Sequence, residues 1–288
     1  MRDFRWSGRT SAQVHTKYGG SPVTTADLAV DRYLRERLGA AFPGAGWLSE
    51  ETADDLSRLE MADLLVVDPI DGTRAFLNGD PRWAVSIAFV HDGRPIAGVI
   101  HAPALGQTYL AALGCGSRRD ERPIHASKKA TLEHALVGGP RSMVGALARA
   151  AKVELAAEPR IPSLALRLAR VADGGLDVAL ASASASDWDI AAVDVILSEA
   201  GALLIDARGQ ILHYNRQSVR HGALLAFGVD LAPAVASAAR VACDQPAAGV
   251  LVGSWSAGAA GFGGGGAKPR RRRRNRPRLR DGALPRGN

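Results

Sequence analysis

One short stretch constrains this chain more than any other. An apolar run at residues 64–67 leads directly into Asp68-Pro69-Ile70-Asp71-Gly72-Thr73. An apolar run bounded by Pro and Gly predicts a buried strand that ends in a tight loop. Asp68 and Asp71 would then stand at the strand's carboxyl end, where open α/β sheets bind ligands. Two carboxylates beside an apolar strand repel each other and are costly to desolvate, so a divalent cation is the most direct compensation. The alternative is a loop whose Asp side chains only cap turns.

Further acidic side chains stand at the ends of other predicted elements. Thr24 and Asp27 form a capping box at the start of a helix, for which we predict an apolar face made of Val30, Tyr33, Leu34 and Leu38. Glu50 ends a short apolar segment, with Glu51 beside it. Asp189 lies in the first turn of a helix that Ser186 opens and Gly201 ends. Each has a structural alternative, since Asp in a first turn caps a helix and paired Glu side chains are commonly solvated.

The rest of the chain alternates strands and helices. Residues 83–90 and 96–101 predict a hairpin around Asp92-Gly93, and this antiparallel block argues against a purely parallel sheet. The other predicted strands are 107–113, 132–137, 176–180, 203–206, 211–213 and 222–227, and the other predicted helices are 143–151, 164–171 and 231–242.

Charge is distributed unevenly. The formal charge is +7, but residues 268–288 hold Lys268 and nine arginines against Asp281, so the other 267 residues carry 26 basic and 28 acidic groups. The Gly/Arg-rich segment 244–288 therefore predicts a disordered tail that could bind nucleic acid or anionic lipid non-specifically. Met1 to Arg9 is polar and charged and does not read as a signal peptide, and no apolar run is long enough for a transmembrane segment. The two cysteines form no disulfide framework. We therefore expect a cytoplasmic protein.

Several phosphate chemistries are excluded by spacing. The chain has neither a Walker loop nor a GxSxG elbow, and the loop does not have the EF-hand alternation of acids. A covalent aspartyl phosphatase needs two Asp one residue apart, whereas Asp68 and Asp71 are separated by two residues. This register favours a metal-activated water over a phospho-enzyme.

Four motifs, in this order, resemble the inositol monophosphatase superfamily. They are Ser21-Pro22-Val23-Thr24-Thr25-Ala26-Asp27, Leu48-Ser49-Glu50-Glu51, Asp68-Pro69-Ile70-Asp71-Gly72-Thr73, and Trp188-Asp189-Ile190-Ala191-Ala192 followed by Glu199-Ala200-Gly201. The resemblance covers roughly residues 17–240, and the first two motifs are similar in sequence to those of the 3'(2'),5'-bisphosphate nucleotidases.

The resemblance implies a fold, a cofactor and a set of roles. The fold is an α/β/α/β/α sandwich with mixed and antiparallel sheets, commonly in a homodimer. The cofactor is Mg²⁺, as two or three ions, with Li⁺ inhibitory. The implied metal ligands are Glu50, Asp68, the Ile70 carbonyl, Asp71 and Asp189, while Asp27 and Thr73, together with Glu50, act on the attacking water. The substrate would contact Ile70, Asp71, Gly72, Thr73 and Asp189, with the Gly72 and Thr73 amides on the phosphate.

Three departures bear on the substrate and the domain boundaries. Inositol phosphatases carry a glutamate near the position of Ala181-Ser182-Ala183-Ser184, which here has no acid. The N-terminus before Lys17 is short, and the tail matches nothing in the family. We therefore expect a phosphatase domain over 1–243, in halves of about 1–130 and 131–243 that share one site. The expected substrate is a bisphosphate nucleotide, with an inositol or sugar phosphate as the alternative. A non-catalytic, nucleic-acid-associated protein that acts through its Arg tail is the alternative of another class.

Overall fold

The computed structural model describes residues 13–16 and 22–244, all of which belong to one compact unit. The chain enters through a short antiparallel ribbon of β1 (Val14–Thr16) and β2 (Pro22–Thr24). Because residues 245–288 lie outside this description, so does the predicted tail beyond Asp244. Among the helices described, none is long and apolar enough to cross a membrane.

The first sheet has seven strands within the described residues, in their chain order. Its first two strands are parallel and the others antiparallel, which confirms the predicted antiparallel block. The strands are β3 (Gly46–Ser49), β4 (Asp63–Asp71), β5 (Ala84–His91), β6 (Arg94–Ala102), β7 (Gln107–Ala112), β8 (Ser117–Arg119) and β9 (Arg122–Pro123).

The second sheet, as far as the structure describes it, has five strands in the order β11-β10-β12-β14-β13. The first three of these are parallel, and β14 is antiparallel to both of its neighbours. The strands are β10 (Ala135–Gly138), β11 (Leu155–Ala157), β12 (Val178–Ala181), β13 (Ala202–Asp206) and β14 (Leu224–Gly228).

The helices form layers against these sheets. They are α1 (Thr25–Ala41), α2 (Thr73–Leu77), α3 (Arg141–Ala151), α4 (Leu164–Ala172), α5 (Asp187–Glu199) and α6 (Ala232–Asp244). One core cluster joins α4 and α5 to both sheets, and a second joins α3 and α6 to the far face of the second sheet. Helix α1 packs against β4. The layers are therefore α1, first sheet, α4 with α5, second sheet, and α3 with α6, which confirms the α/β/α/β/α sandwich.

Strand β12 shows how the sequence produces this layering. Ala179 and Ala181 face the cluster between the sheets, whereas Val178 and Leu180 face α3 and α6. All four are buried, because a strand covered on both faces puts successive side chains into two different cores.

Three local predictions were wrong. The strand at 64–67 continues through both aspartates to Asp71, with an irregular register against β5 between Asp68 and Asp71. Residues 211–213 form no strand: Ile211 makes an isolated bridge to Ile205 and is half exposed. On α1, Tyr33 of the predicted apolar face is exposed, and the buried side chains are Asp27 and Asp31. The other three predicted apolar residues, Val30, Leu34 and Leu38, are only partly buried, and hydrogen bonds of the two aspartates help to orient this helix.

Candidate functional site

Asp68 and Asp71 lie at the end of β4, where the strand's register is irregular. Pro69 has no N–H, so the ladder is interrupted between them. The Ile70 N–H turns back and donates to Asp68 Oδ1 at 3.0 Å. Both carboxylates are buried, with relative exposures of 1% for Asp68 and 5% for Asp71.

Asp189 reaches the same place from the first turn of α5. Its Oδ2 accepts a hydrogen bond of 2.6 Å from the Ser186 N–H, which forms a capping box with Ser186 as the predicted N-cap. One carboxylate oxygen from each of Asp68, Asp71 and Asp189 lies within 4.8 Å of the other two. Asp189 therefore caps α5 and also belongs to the carboxylate cluster.

Burial and mutual repulsion raise the pKa values of the carboxylates in this cluster. Burial raises the pKa of Asp68 well above its usual value, and the charges of Glu50, Asp71 and Asp189 raise it further. Burial, followed by the charge of Asp71, raises the pKa of Asp189 to about 8. Burial also raises the pKa of Asp71, although hydrogen bonds from Ser163 and from two backbone amides oppose that shift.

The cluster fits a hard divalent cation. All of its donors are carboxylate oxygens, which are the ligands that Mg²⁺ and Ca²⁺ prefer. A cation would compensate the buried negative charge that otherwise drives these groups toward their protonated forms.

Glu50 lies close to the cluster but outside the triple of oxygens within 4.8 Å. Its N–H donates to the Val67 carbonyl at 3.3 Å, which fixes it beside β4. Its charge raises the pKa of both Asp68 and Asp189, so its carboxylate lies near them. Of the two adjacent glutamates, this favours Glu50 over Glu51.

Asp27 and Thr73 meet on the opposite side of the loop. Asp27 Oδ2 accepts hydrogen bonds from the N–H and the hydroxyl of Thr24 at 2.8 and 2.6 Å. Its other oxygen, Oδ1, lies 3.3 Å from Thr73 Oγ1. The capping box thus turns one Asp27 oxygen toward Thr73.

Gly72 and Ile70 complete the loop. Gly72 lies immediately before α2. Its φ of +93° is in the left-handed region, which glycine adopts readily. The Ile70 carbonyl oxygen lies 3.2 Å from Thr73 Oγ1. The Thr73 hydroxyl therefore has two acceptors within reach, Ile70 O and Asp27 Oδ1, and can donate to only one at a time.

The sequence did not reveal that Asp71 joins the loop to α4. Asp71 accepts hydrogen bonds from the Ser163 hydroxyl at 2.5 Å, the Leu164 N–H at 3.2 Å and the Ala165 N–H at 2.6 Å. These donors form the N-terminus of α4, where backbone N–H groups favour an anion. Ser163 before a helical run signals an N-cap, but nothing in the sequence connects it to Asp71, 92 residues away.

Asp31 is a second residue that sequence reasoning missed. It accepts hydrogen bonds from Ser49 Oγ at 2.5 Å and from Thr52 Oγ1 at 2.9 Å. Since these two residues flank Glu50 and Glu51, Asp31 anchors the acidic loop to α1. Its spacing of four residues from Asp27 was the available signal, because both side chains then lie on one helical face.

Known proteins resemble this chain over most of its length. A model of the inositol monophosphatase family matches residues 3–245. A 3'(2'),5'-bisphosphate nucleotidase CysQ from Aggregatibacter actinomycetemcomitans is 36% identical over 216 residues, covering 72% of this chain and 80% of that protein. A histidinol-phosphatase from Mycobacterium tuberculosis is 34% identical over 228 residues, covering 76% and 86%. A solved IMPase from Thermotoga maritima has a TM-score of 0.68 at 28% identity, covering 80% of this chain and 88% of that one.

The family match covers the part of the chain that carries the site. The match spans all the elements that carry Asp27, Asp68 and Asp189, and the fold is the one found in the solved relative. The chain belongs to the inositol monophosphatase family, whose members are metal-dependent phosphatases.

Proposed function

We propose that this protein is a Mg²⁺-dependent phosphomonoesterase whose favoured substrate is a 3'(2'),5'-bisphosphate nucleotide. The observation that carries the proposal is the cluster of the buried Asp68 and Asp71 with the partly buried Asp189, with an oxygen of each within 4.8 Å of the others. Burying negatively charged carboxylates at this separation raises the free energy of the folded protein unless a positive charge lies between them. A bound cation would provide that charge.

We assign metal binding to Glu50, Asp68, Asp71, Asp189 and the Ile70 carbonyl. When bound, divalent cations supply charge that lowers the pKa of a water and stabilises the leaving oxygen. Two or three Mg²⁺ ions fit this donor set in the proposal, and Li⁺ competes with them.

Asp27 and Thr73 act on the attacking water. The Thr73 hydroxyl donates to Asp27 Oδ1 and keeps its lone pairs to accept a hydrogen bond from that water, so the pair orients the nucleophile. The water oxygen bonds to phosphorus as the ester P–O bond breaks, and the products are an alcohol and inorganic phosphate. In this scheme the Gly72 and Thr73 amides bind the phosphate oxygens.

The nucleotide preference rests on two observations. The CysQ nucleotidase is 36% identical to this chain. The segment that follows β12, where inositol phosphatases place a substrate-gripping glutamate, has Ser182 and Ser184 and no acid. The IMPase and histidinol-phosphatase relatives make inositol phosphate and histidinol phosphate the competing substrates. The homodimer and the cytoplasmic location stay predictions.

Phosphate release from three compounds tests the proposal. The full chain is assayed with adenosine 3',5'-bisphosphate, inositol 1-phosphate and histidinol phosphate, each with Mg²⁺, with EDTA, and with Mg²⁺ plus Li⁺. We expect the highest kcat/KM for the bisphosphate, no release in EDTA, and inhibition by Li⁺. A higher kcat/KM for either of the other compounds would reject the nucleotide preference, and release that persists in EDTA would reject the metal mechanism.

A further inference from the structure

A cavity of about 1000 Å³ opens at one edge of the second sheet. Three parallel strands end there: Gly139 follows β10, Glu158 follows β11 and Ser182 follows β12, and all three residues line the cavity. The chain passes from β10 through α3 to β11 on one side, then through α4 to β12 on the other side. Because α3 and α4 pack on opposite faces of this sheet, the crevice lies at a topological switch point, where α/β sheets bind ligands.

The charged side chains that line this cavity are three arginines and one glutamate. Arg141 opens α3, Arg160 lies in the segment between β11 and α4, and Arg167 lies on α4, with Glu158 as the opposing charge. Arg160 and Arg167 both line the cavity, and the charge of Arg160 lowers the pKa of Arg167, so the two guanidinium groups lie near each other. Like charges held together in this way favour a bound anion.

Arg167 provides a second observation that points to a ligand in this cavity. The residue is only 7% exposed, and its Nη1 donates to the Ile161 carbonyl at 3.2 Å. Its buried Nε has no hydrogen-bond partner among the residues that the structure describes. Buried polar groups without partners are rare and costly, so an acceptor inside the cavity accounts for this N–H.

The backbone around Arg160 is held in place. The Arg82 Nη1 donates to the Arg160 carbonyl at 3.1 Å, and Arg82 is itself paired with Asp80. The Glu158 N–H donates to the Val137 carbonyl at 3.0 Å on β10. Hydrogen bonds therefore fix the segment that carries Arg160 to Arg82 and to β10, as a preorganised binding site requires.

The cavity is also connected to the reaction site. Helix α4 begins with the Ser163, Leu164 and Ala165 donors to Asp71, and Arg167 follows within the first turn of the same helix. The charge of Arg167 acts directly on Asp71. Arg167 therefore lies both near Asp71 and in the lining of the cavity.

We propose that Arg141, Arg160 and Arg167 form an anion subsite for the second phosphate group of the substrate, the one that is not cleaved. The inference rests on the proposed function, because it assumes that the phosphate to be cleaved lies at the carboxylate cluster. A guanidinium binds phosphate through charge-assisted hydrogen bonds, often two at once. The subsite thus selects small diphosphorylated substrates over monophosphorylated ones.

The test compares two substrates that differ in one phosphate group. Adenosine 3',5'-bisphosphate and adenosine 3'-monophosphate are assayed with Mg²⁺ on the full-length wild type and on the variant Arg141→Gln/Arg160→Gln, whose two side chains are exposed and whose replacement should not disturb folding. We expect the ratio of kcat/KM between bisphosphate and monophosphate to fall at least about tenfold, since charged hydrogen bonds contribute roughly 1.5–3 kcal/mol each. An unchanged ratio would overturn the subsite.

Arg149→Gln is the matched control, because Arg149 is an exposed arginine on the same helix as Arg141 and does not line the cavity. This variant should keep the wild-type ratio. The nine arginines of residues 268–288 are present in every variant, so their non-specific attraction for nucleotides cancels in the comparison.

A binding measurement separates the subsite from the activity. Adenosine 5'-monophosphate is titrated calorimetrically in EDTA into the same three proteins. Binding by the wild type and the Arg149 variant that weakens about tenfold or more in the double variant supports the subsite, even if no phosphate is released from any ester and the proposed function fails. Equal binding by all three proteins, or none, overturns the subsite while leaving a measured phosphatase activity untouched.

Discussion

Asp68 lies at the centre of the negative charge in the site. Its carboxylate is buried, accepts one backbone hydrogen bond and faces Glu50, Asp71 and Asp189. A carboxylate in this environment lowers the stability of the folded protein when no cation is bound. We infer that its role is in function rather than in stability.

Replacing Asp68 by Asn should separate activity from stability. Asn keeps an oxygen that can accept from the Ile70 N–H, but removes the charge. We expect a loss of kcat of roughly a thousandfold, because metal charge stabilisation amounts to several kcal/mol. In EDTA at pH 8 the variant should be at least as stable to urea as the wild type. Near wild-type turnover would contradict the role of Asp68, and a large loss of stability would contradict its electrostatic description.

The Thr73 hydroxyl is expected to act on the water rather than on the fold. Thr73→Val removes the group that lies 3.3 Å from Asp27 Oδ1, while Thr73→Ser keeps it. We expect kcat to fall about a hundredfold in the Val variant and much less in the Ser variant, as is typical of proton-positioning groups. Steady-state phosphate release measures this. If both variants lose activity equally, the methyl packing of Thr73, and not its hydroxyl, is what matters.

The site residues that could be predicted share one property: they are acids that stand beside apolar runs in short, ordered motifs. Asp27, Asp68, Asp71 and Asp189 belong to this group, and the structure brings three of them together. Ser163, Asp31 and Arg167 could not be predicted, because their importance comes from partners far away in the chain or from burial. An arginine on a helix is ordinarily solvated, and only the fold shows that Arg167 is not.

At the scale of elements, α5 approaches β6 so closely that residue 98 has to be glycine. A Cβ added to Gly98 would lie 2.9 Å from Ala192 Cα and 2.7 Å from a methyl carbon of Val195. The backbone of α5, which cannot move without shifting Asp189, forms one side of this contact.

Gly98→Ala should therefore destabilise the protein by about 1–3 kcal/mol, the range typical of overpacking. Gly39→Ala is the matched control: Gly39 lies in α1 with nothing within 4 Å of the added Cβ, so the variant should gain about 0.5–1 kcal/mol from helix propensity. Urea unfolding followed by circular dichroism measures both. A neutral Gly98 variant would show that α5 can shift away from β6.

The elements themselves were predicted from hydrophobic period and turn chemistry, and the errors have physical causes. The Asp92-Gly93 turn has positive φ at both residues, as that dipeptide indicates. Residues 211–213 alternate as a strand does, yet Ile211 is exposed and forms only a single bridge. On α1, hydrophobic periodicity alone could not show that Asp27 and Asp31, which have hydrogen-bond partners, would be more buried than the predicted apolar face.

At the scale of the whole molecule, the cluster links pH, metal and stability. Burial raises the pKa of Asp189 from the ordinary 3.8 to about 8, so between these values the folded protein binds a proton that the unfolded chain has released. The free energy of unfolding of the metal-free protein therefore falls as pH rises through this window. Metal binding displaces that proton, so the binding of Mg²⁺ should strengthen as pH approaches and passes about 8.

The rise in Tm on adding Mg²⁺ should accordingly be larger at pH 8.5 than at pH 6. Thermal unfolding is followed in EDTA and in excess Mg²⁺ at both pH values, with Asp189→Asn as the control that lacks the titrating group. We expect the pH dependence of the Mg²⁺ effect to be smaller in this variant. A Mg²⁺ effect of the same size at both pH values in the wild type would contradict the linkage.

The central claim is that Asp68, Asp71 and Asp189 converge to hold a divalent cation, and a manganese soak of crystals of the full chain tests it most directly. Mn²⁺ accepts the same oxygen ligands as Mg²⁺ and is visible by anomalous scattering. We predict an anomalous peak within coordination distance of all three carboxylates, absent in Asp68→Asn crystals prepared identically. Manganese bound elsewhere, with these three side chains uncoordinated, would contradict the claim.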